Sequence, residues 1–303
     1  MCCGLATLDV VQHVDRVPGP DEKLVAHRLD VTFGGPAANA AATAAALGLP
    51  TVLVTALGTG QVARLVRDGL AAAGVHVVDL AAHTPGDPPV STVLVTASTG
   101  QRAVVSTNAS RRPDDLAPAA AEAVDDLLDD ATAVLVDGHH LAAGITVAGA
   151  ARGRGIPVLA DGGSWKPGLE RLLAHVDVAI LSADFVVPGR LAPGAAPAPV
   201  VVPAPPDVLA AVAALGPRFV ARSAGSGPVL VRLPSGVHEQ IAPPLVAPDE
   251  VVDTLGAGDV LHGATAAALA RGVDPMAALR EGIVLATQSV RHPGALGWVT
   301  ARR

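Results

Sequence analysis

Short β-branched and apolar runs alternate along this chain with alanine-rich stretches of helical length. The runs at 51–56, 133–137, 156–160 and 176–181 predict strands, and the stretches at 60–73 and 141–153 predict helices. That rhythm implies parallel βαβ units in an α/β sandwich. Met1 to Val11 forms one mostly apolar, strand-like run interrupted by Asp9. Segments 10–32 and 88–108 break the pattern with short alternating runs. Two of these, VSTVLVTA and QRAVVST, flank a Ser98-Thr99-Gly100 turn and predict a hairpin. Val187 to Pro206, rich in Pro and Ala, predicts a surface connection or mobile loop. No internal repeat is evident.

Composition narrows the class without naming a function. With 303 residues, 50% hydrophobic and 16% charged, residues 1–303 suffice for a single large-cored domain with a small appendage. A net charge of −7, with no Lys/Arg cluster and no aromatic platform, argues against a nucleic-acid partner. No run of about 18 apolar residues is free of turn signals, and no basic segment precedes a cleavable apolar stretch. A cytoplasmic protein without membrane association is expected. Cys2 and Cys3 are adjacent and are the only cysteines, which excludes a disulfide framework and paired CxxC zinc spacing; packing roles are expected.

The most informative segment is VVDTLGAGDVLHG at 251–263. Val260 to Ala270 predicts a buried helix, so Gly256, Ala257, Gly258 and Asp259 form its first turn, where backbone N–H groups lack intrahelical partners. Gly256 and Gly258 permit positive φ and close approach of an anion, and the helix dipole favours negative charge there. Asp259 beside such an anion is repulsive unless it has a task, such as accepting the proton of an attacking hydroxyl. Asp253 or Asp259 could instead only cap the helix. A second segment, GGPAANAAATAAALG at 34–48, combines Gly34 and Gly35 with Pro36 at a first helical position, Asn39 in the first turn and Gly48 at the stop.

DTLGAGD resembles the second signature of the PfkB/ribokinase family of carbohydrate kinases, and 34–48 resembles the first. The two stand in the family's order. The resemblance implies a ribokinase-like three-layer α/β/α sandwich with a small β-sheet lid, made here by 10–32 and 88–108 and often shared with a second subunit. It also implies ATP and Mg2+ as cofactors, leaves open a monovalent cation, and suggests a homodimer through the lid. Asp9, Gly34, Gly35 and Asn39 correspond to the sugar-binding residues. Asp259 corresponds to the base that also touches the sugar, and Gly256 to Gly258 to the anion hole. On the nucleotide side, Asp253, Thr254, Gly256 and Gly258 lie in the signature. Ser223, Gly225 and Gly227 lie in FVARSAGSGPVLVRL at 219–233, which equally suits a simple hairpin. Ala286, Ser289 and Gly294 correspond to the adenine enclosure by position.

Departures qualify the resemblance. Many members carry Asn-x-x-Glu near residue 180; this chain has Ser182-Ala183-Asp184-Phe185, and no metal ligand is assigned. Ketohexokinases also depart there, and they are similar to this chain at 60–75, 86–105 and VVDTLGAGD. That makes them the nearest branch, although Pro36 replaces an asparagine that contacts their sugar. Asp161 ends another apolar strand and suits either a place near the phosphate or a helix cap. Lys166 could neutralise transferred charge or be solvated, and His139 and His140 end the strand at 133–137. Arg28 and Arg102 make no second phosphate site, which favours an unphosphorylated substrate. Lys23 and Lys166 are the only lysines and neither follows a glycine, so a Walker A loop is excluded.

The expected reaction is ATP-dependent phosphorylation of a hydroxymethyl group on a ketohexose or furanose-like sugar, with Asp259 as general base. A nucleoside kinase of the same superfamily needs a cradle for a base, which two Trp, three Phe and no Tyr supply poorly. A sugar or nucleotide sensor that has lost the reaction is a further alternative. A dinucleotide oxidoreductase is disfavoured, because no Gly-x-Gly-x-x-Gly follows the first strand.

Overall fold

The computed structural model describes residues 1–107, 116–188 and 205–301. In chain order the N-terminal half holds β1 (Cys2–Cys3), β2 (Thr7–Val14), β3 (Arg28–Gly34), α1 (Pro36–Ala46), β4 (Thr51–Thr55), α2 (Gln61–Ala72) and β5 (Val75–Asp79). Next come β6 (Val90–Thr96), β7 (Arg102–Ser106), α3 (Ala117–Leu128), β8 (Val134–Val136), α4 (Leu141–Gly153), β9 (Val158–Gly162), α5 (Leu169–Leu173) and β10 (Val178–Leu181). The remainder is α6 (Pro205–Ala213), β11 (Phe219–Ala224), β12 (Gly227–Arg232), β13 (His238–Ile241), α7 (Ala257–Ala270), α8 (Pro275–Ser289) and α9 (Gly297–Ala301).

Nine strands form the main sheet in the order β13-β12-β11-β10-β9-β8-β1-β4-β5. Its strands are parallel from β11 to β5, and β12 and β13 add an antiparallel edge. Two apolar clusters cover its faces: one unites Leu135, Ile180 and Ala221 with α1, α7 and α8, and the other unites Val136, Leu181 and Val220 with α3, α4 and α6. This is the expected three-layer α/β/α, ribokinase-like sandwich. A second, four-stranded sheet, β3-β2-β6-β7, is built from the segments expected to form the lid.

Small residues set the spacing of the helices that carry the signatures. A Cβ at Gly263 of α7 would collide with the Ala40 carbonyl and Thr43 of α1, and one at Gly282 of α8 with Thr265 and the Leu261 carbonyl. The alanine-rich faces therefore bring α1, α7 and α8 to nearly backbone contact. Gly48, at φ 88, ends α1 as its sequence implies.

Three expectations need correction. Met1 to Val11 is not one strand: β1 ends at Cys3 in the main sheet, and β2 starts at Thr7 in the lid. The cause is Asp137, at the end of β8, whose Oδ2 accepts the Leu5 N–H at 2.8 Å and whose carboxylate occupies the space a Cβ on Gly4 would need. Asp9 accordingly sits within a lid strand instead of ending a core strand. The lid strands also begin earlier and end later than 10–32, since β2–β3 pairing runs from Thr7↔Gly34 to His13↔Arg28. Its second arm lies within 88–107, with residue 108 outside the described residues. Of the Val187–Pro206 stretch, 189–204 also lie outside them, but Pro205 and Pro206 open α6 rather than belonging to a loop. Cys2 and Cys3 are buried in the middle of the sheet, and desolvation raises both thiols, Cys2 to about 11, as packing residues require.

Candidate active site

Gly256 has φ 76 and caps α7, and a Cβ there would strike Ala295. Only glycine meets both demands. The N–H groups of Gly258 and Asp259 then open the helix without intrahelical acceptors. At Gly258 an added Cβ would meet nothing within 4 Å, so the space over this turn is free for a ligand. Asp253 holds the approach: its Oδ1 accepts from Leu255 N at 2.8 Å and its Oδ2 from Gly294 N at 2.8 Å. It is buried and acts as a tie between two loops. Gly294 and Asp253 line one cavity.

Asp259 projects from the first turn of α7, where Nδ2 of Asn39 donates to its Oδ2 at 2.7 Å. Burial, and then the negative charge of Asp161, push its carboxyl up to about 7, against the Asn39 bond, His262 and Arg102. A carboxylate tuned to that range can take a proton near neutral pH. Asp161, at the end of β9, is itself raised by desolvation, opposed chiefly by His262.

The small sheet packs on the loop that leads into this turn. Asp9 accepts from Thr7 Oγ1 at 2.7 Å and is raised mainly by burial. Its carboxylate fills the space that a Cβ on Gly34 would occupy, and Leu5 and Ala6 press in the same way on Gly35, whose φ is 96. The close approach these glycines permit is thus made by the protein's own chain. Asp9, His13, Arg28, Asp30 and Thr32 share one face of β2 and β3 and line a cavity of about 210 Å³ with Asn39 and Asp253. Asp30 is held by Arg28 Nε at 2.8 Å and lies 3.5 Å from His13 Nε2. Val11, Val93 and Val95 pack on Leu255, and Arg102 Nη1 donates to the Thr254 carbonyl at 3.1 Å, anchoring the hairpin to the loop before α7.

Asp9, Gly34, Asn39, Asp253, Gly256, Gly258 and Asp259 therefore converge, and Thr254 is joined to them through Arg102. The other candidates make contacts of their own. Ser223 donates to the Leu181 carbonyl at 3.3 Å, and Gly225 and Gly227 form the β11–β12 turn. Ser289 is buried and its hydroxyl donates to the Ala286 carbonyl within α8. Phe185, in the position of the family's glutamate, is fully buried and edge-on to Trp165 at 6.2 Å. Lys166 donates to the Ser164 carbonyl, and burial lowers His139. Asp137 was not singled out from the sequence, although it ends an apolar strand as Asp161 does. His262 was also missed; its position three residues after Asp259, on the same side of the helix, was the available signal.

A model of the pfkB family of carbohydrate kinases matches residues 1–300. The chain belongs to that family. It is 28% identical to a ribokinase of Arabidopsis thaliana, over 97% of this chain and 76% of that one. It is 26% identical to a ribokinase of Bacillus subtilis, over 99% and 95%. The fold matches a solved Arabidopsis thaliana ribokinase complexed with ribose and ATP, with a TM-score of 0.70, 23% identity, and coverage of 97% of this chain and 93% of that one. The protein is an ATP-dependent sugar kinase. These relatives are named ribokinase; they support the family and not the ketohexokinase branch. No helix among the described residues of this kinase is long and apolar enough to cross a membrane.

Proposed function

We propose that this kinase transfers the γ-phosphoryl group of ATP to a hydroxymethyl group of a small, unphosphorylated, furanose-like sugar. The observation that carries the proposal is the Asp259 carboxylate at the open first turn of α7, bonded to Asn39, which itself lines a cavity beneath the polar face of the small sheet. Asp259 takes the proton of the attacking hydroxyl, and the amides at Gly256 to Gly258 stabilise the charge on the transferred group.

Asp9, Asp30 and Asn39 offer carboxylate and amide groups suited to hydroxyls. Leu255, Ala295 and Leu296 supply the apolar side of the cavity, suited to a sugar's C–H face. Five of the seven cavity-lining positions on β2 and β3 are polar, Val11 and Phe33 being the exceptions, which disfavours a nucleobase. Magnesium would enter with the nucleotide, since it dehydrates reluctantly and prefers phosphate and water oxygens. Among the described residues no group of three His, Cys, Asp or Glu side chains is placed to hold a metal ion. A homodimer through the lid is supported by Leu29, Val31 and Val105, exposed at 60%, 55% and 76% on its outer face.

The test is an ADP-release assay over ketoses, aldoses, sugar phosphates and nucleosides, for wild type and Asp259→Asn. Turnover of a free sugar that falls by about 10² or more in the variant supports the assignment. Preference for a nucleoside or a sugar phosphate overturns the substrate class. No turnover with ATP still bound indicates a sensor.

A further inference from the structure

His262 lies three residues beyond Asp259 on α7 and is 5% exposed. Its Nδ1 is 2.6 Å from the Gly258 carbonyl oxygen and 3.4 Å from Oδ2 of Asp161. Its Nε2 is 3.1 Å from the carbonyl oxygen of Ile180, in β10. Both ring nitrogens therefore face backbone oxygens, which only accept. A neutral imidazole has one N–H and one bare lone pair, so it would set lone pair against lone pair at one of these contacts. The imidazolium satisfies both. Its charge is countered by Asp161, and burying a cation without such a partner would be costly.

We propose that His262 is a doubly protonated positioning residue for phosphoryl transfer, pairing with Asp161 and fixing the Gly258 peptide that opens α7. The proposal rests on the assignment of Asp259 as base and of this turn as the anion hole. The Gly258 carbonyl and the Asp259 N–H belong to one peptide plane, so a bond to the carbonyl sets the direction of that N–H. A cationic donor on the oxygen also polarises the amide and strengthens its N–H as a donor.

The same charge governs the base. Around Asp259 stand Asp161 from β9, His262 from its own helix, Asn39 from α1 and Arg102 from the lid. Behind Asp161 stand Asp137, His139 and Lys166. With His262 charged, Asp161 is neutralised at short range, and Asp259 ionises beside a pair of near-zero net charge. Without it, Asp259 must ionise next to an uncompensated carboxylate. The side chain thus serves the helix turn and the proton acceptor together.

Two measurements test this. In 15N-labelled wild type without substrate at pH 7, the His262 side-chain nitrogens, assigned by their loss in His262→Asn, should both resonate as protonated nitrogens. In the pH profile of kcat/KM, His262→Leu should move the acid limb up by about one unit. His262→Asn, which can still donate to the Gly258 carbonyl, should recover much of the kcat lost in His262→Leu while leaving the acid limb displaced. A bare nitrogen in the wild type overturns the proposal, as does an unmoved acid limb in a folded His262→Leu protein. If neither variant folds, the wild-type resonances decide alone, assigned by through-bond correlation of the ring to the sequentially assigned His262 backbone. Failure of the kinase assignment would appear differently, as absent turnover by the wild type.

Discussion

Asn39 and Asp259, 220 residues apart in sequence, meet through a 2.7 Å bond from the amide to the carboxylate. The bond joins the two signature helices where the proposed sugar and phosphate sites adjoin. It also favours the ionised form of Asp259 against burial and against Asp161. Replacing Asn39 by Ala should raise the Asp259 pKa, move the acid limb of kcat/KM upward and lower kcat/KM about tenfold at pH 7. A pH–rate series on both proteins reads this directly, and an unchanged acid limb would show that the bond does not tune the base.

Asp259→Asn should remove the acid limb near pH 7 and lower kcat by about 10² to 10⁴. Stability gives an independent check. The folded carboxyl titrates at about 7, above its unfolded value near 3.9, so the native state binds the extra proton. Wild-type stability contributed by this group is full below about pH 4 and falls as pH rises toward 7. The variant lacks that fall, and its Tm should gain on the wild type steadily over this window. A gap independent of pH would mean that Asp259 is not raised in the folded protein.

The repeating strand and helix pattern was legible because buried parallel strands and alanine-rich helices each leave a local signature. The start of α1 at Pro36, the stop at Gly48 and the Ser98-Thr99-Gly100 hairpin were legible for the same reason. The break after Cys3 was not. It depends on Asp137, 132 residues from Leu5, taking a backbone N–H, while the local sequence stays apolar. The site divides likewise: Asp259 and Asn39 stand inside recognisable motifs. His262 acquires its role only when Asp161 and Ile180 arrive from neighbouring strands. Arg102 reaches Thr254 only because the lid folds over.

Gly258 and Gly256 should behave oppositely. A methyl group at Gly258 enters open space in a helix, so Gly258→Ala should fold normally, with stability unchanged or raised by up to about 1 kcal/mol. The same methyl stands over the turn where the phosphate is proposed to bind, so kcat/KM for ATP should fall at least tenfold. Gly256→Ala faces a left-handed φ of 76 and a collision with Ala295, and should destabilise by about 1–3 kcal/mol. Urea unfolding and steady-state kinetics on both variants separate the roles. Equal loss of stability in the two would count against an open phosphate site at Gly258.

Arg102 ties the lid hairpin to Thr254, so Arg102→Ala should loosen closure without removing a reacting group. The sugar KM should rise several-fold while kcat changes little. Because Arg102 also favours ionised Asp259, a small upward shift of the acid limb should accompany it. A large fall in kcat with an unchanged KM would instead assign the guanidinium to the transition state.

The outer face of the lid makes the last distinction. Leu29 and Val31 lie on edge strand β3 and Val105 on edge strand β7, so the apolar surface reaches across the whole small sheet. A second copy laid across it would shield both edges as well as these side chains, removing a liability that exposed sheet edges carry. Sedimentation should therefore give twice the chain mass of 30.1 kDa at micromolar concentration. Val31→Glu combined with Val105→Glu should return the single-chain mass, with helix content unchanged and the sugar KM raised, because each lid would lose its support. Should the wild type sediment at 30.1 kDa, the lid acts alone, and closure over the sugar depends on Leu255 and the Arg102 tie.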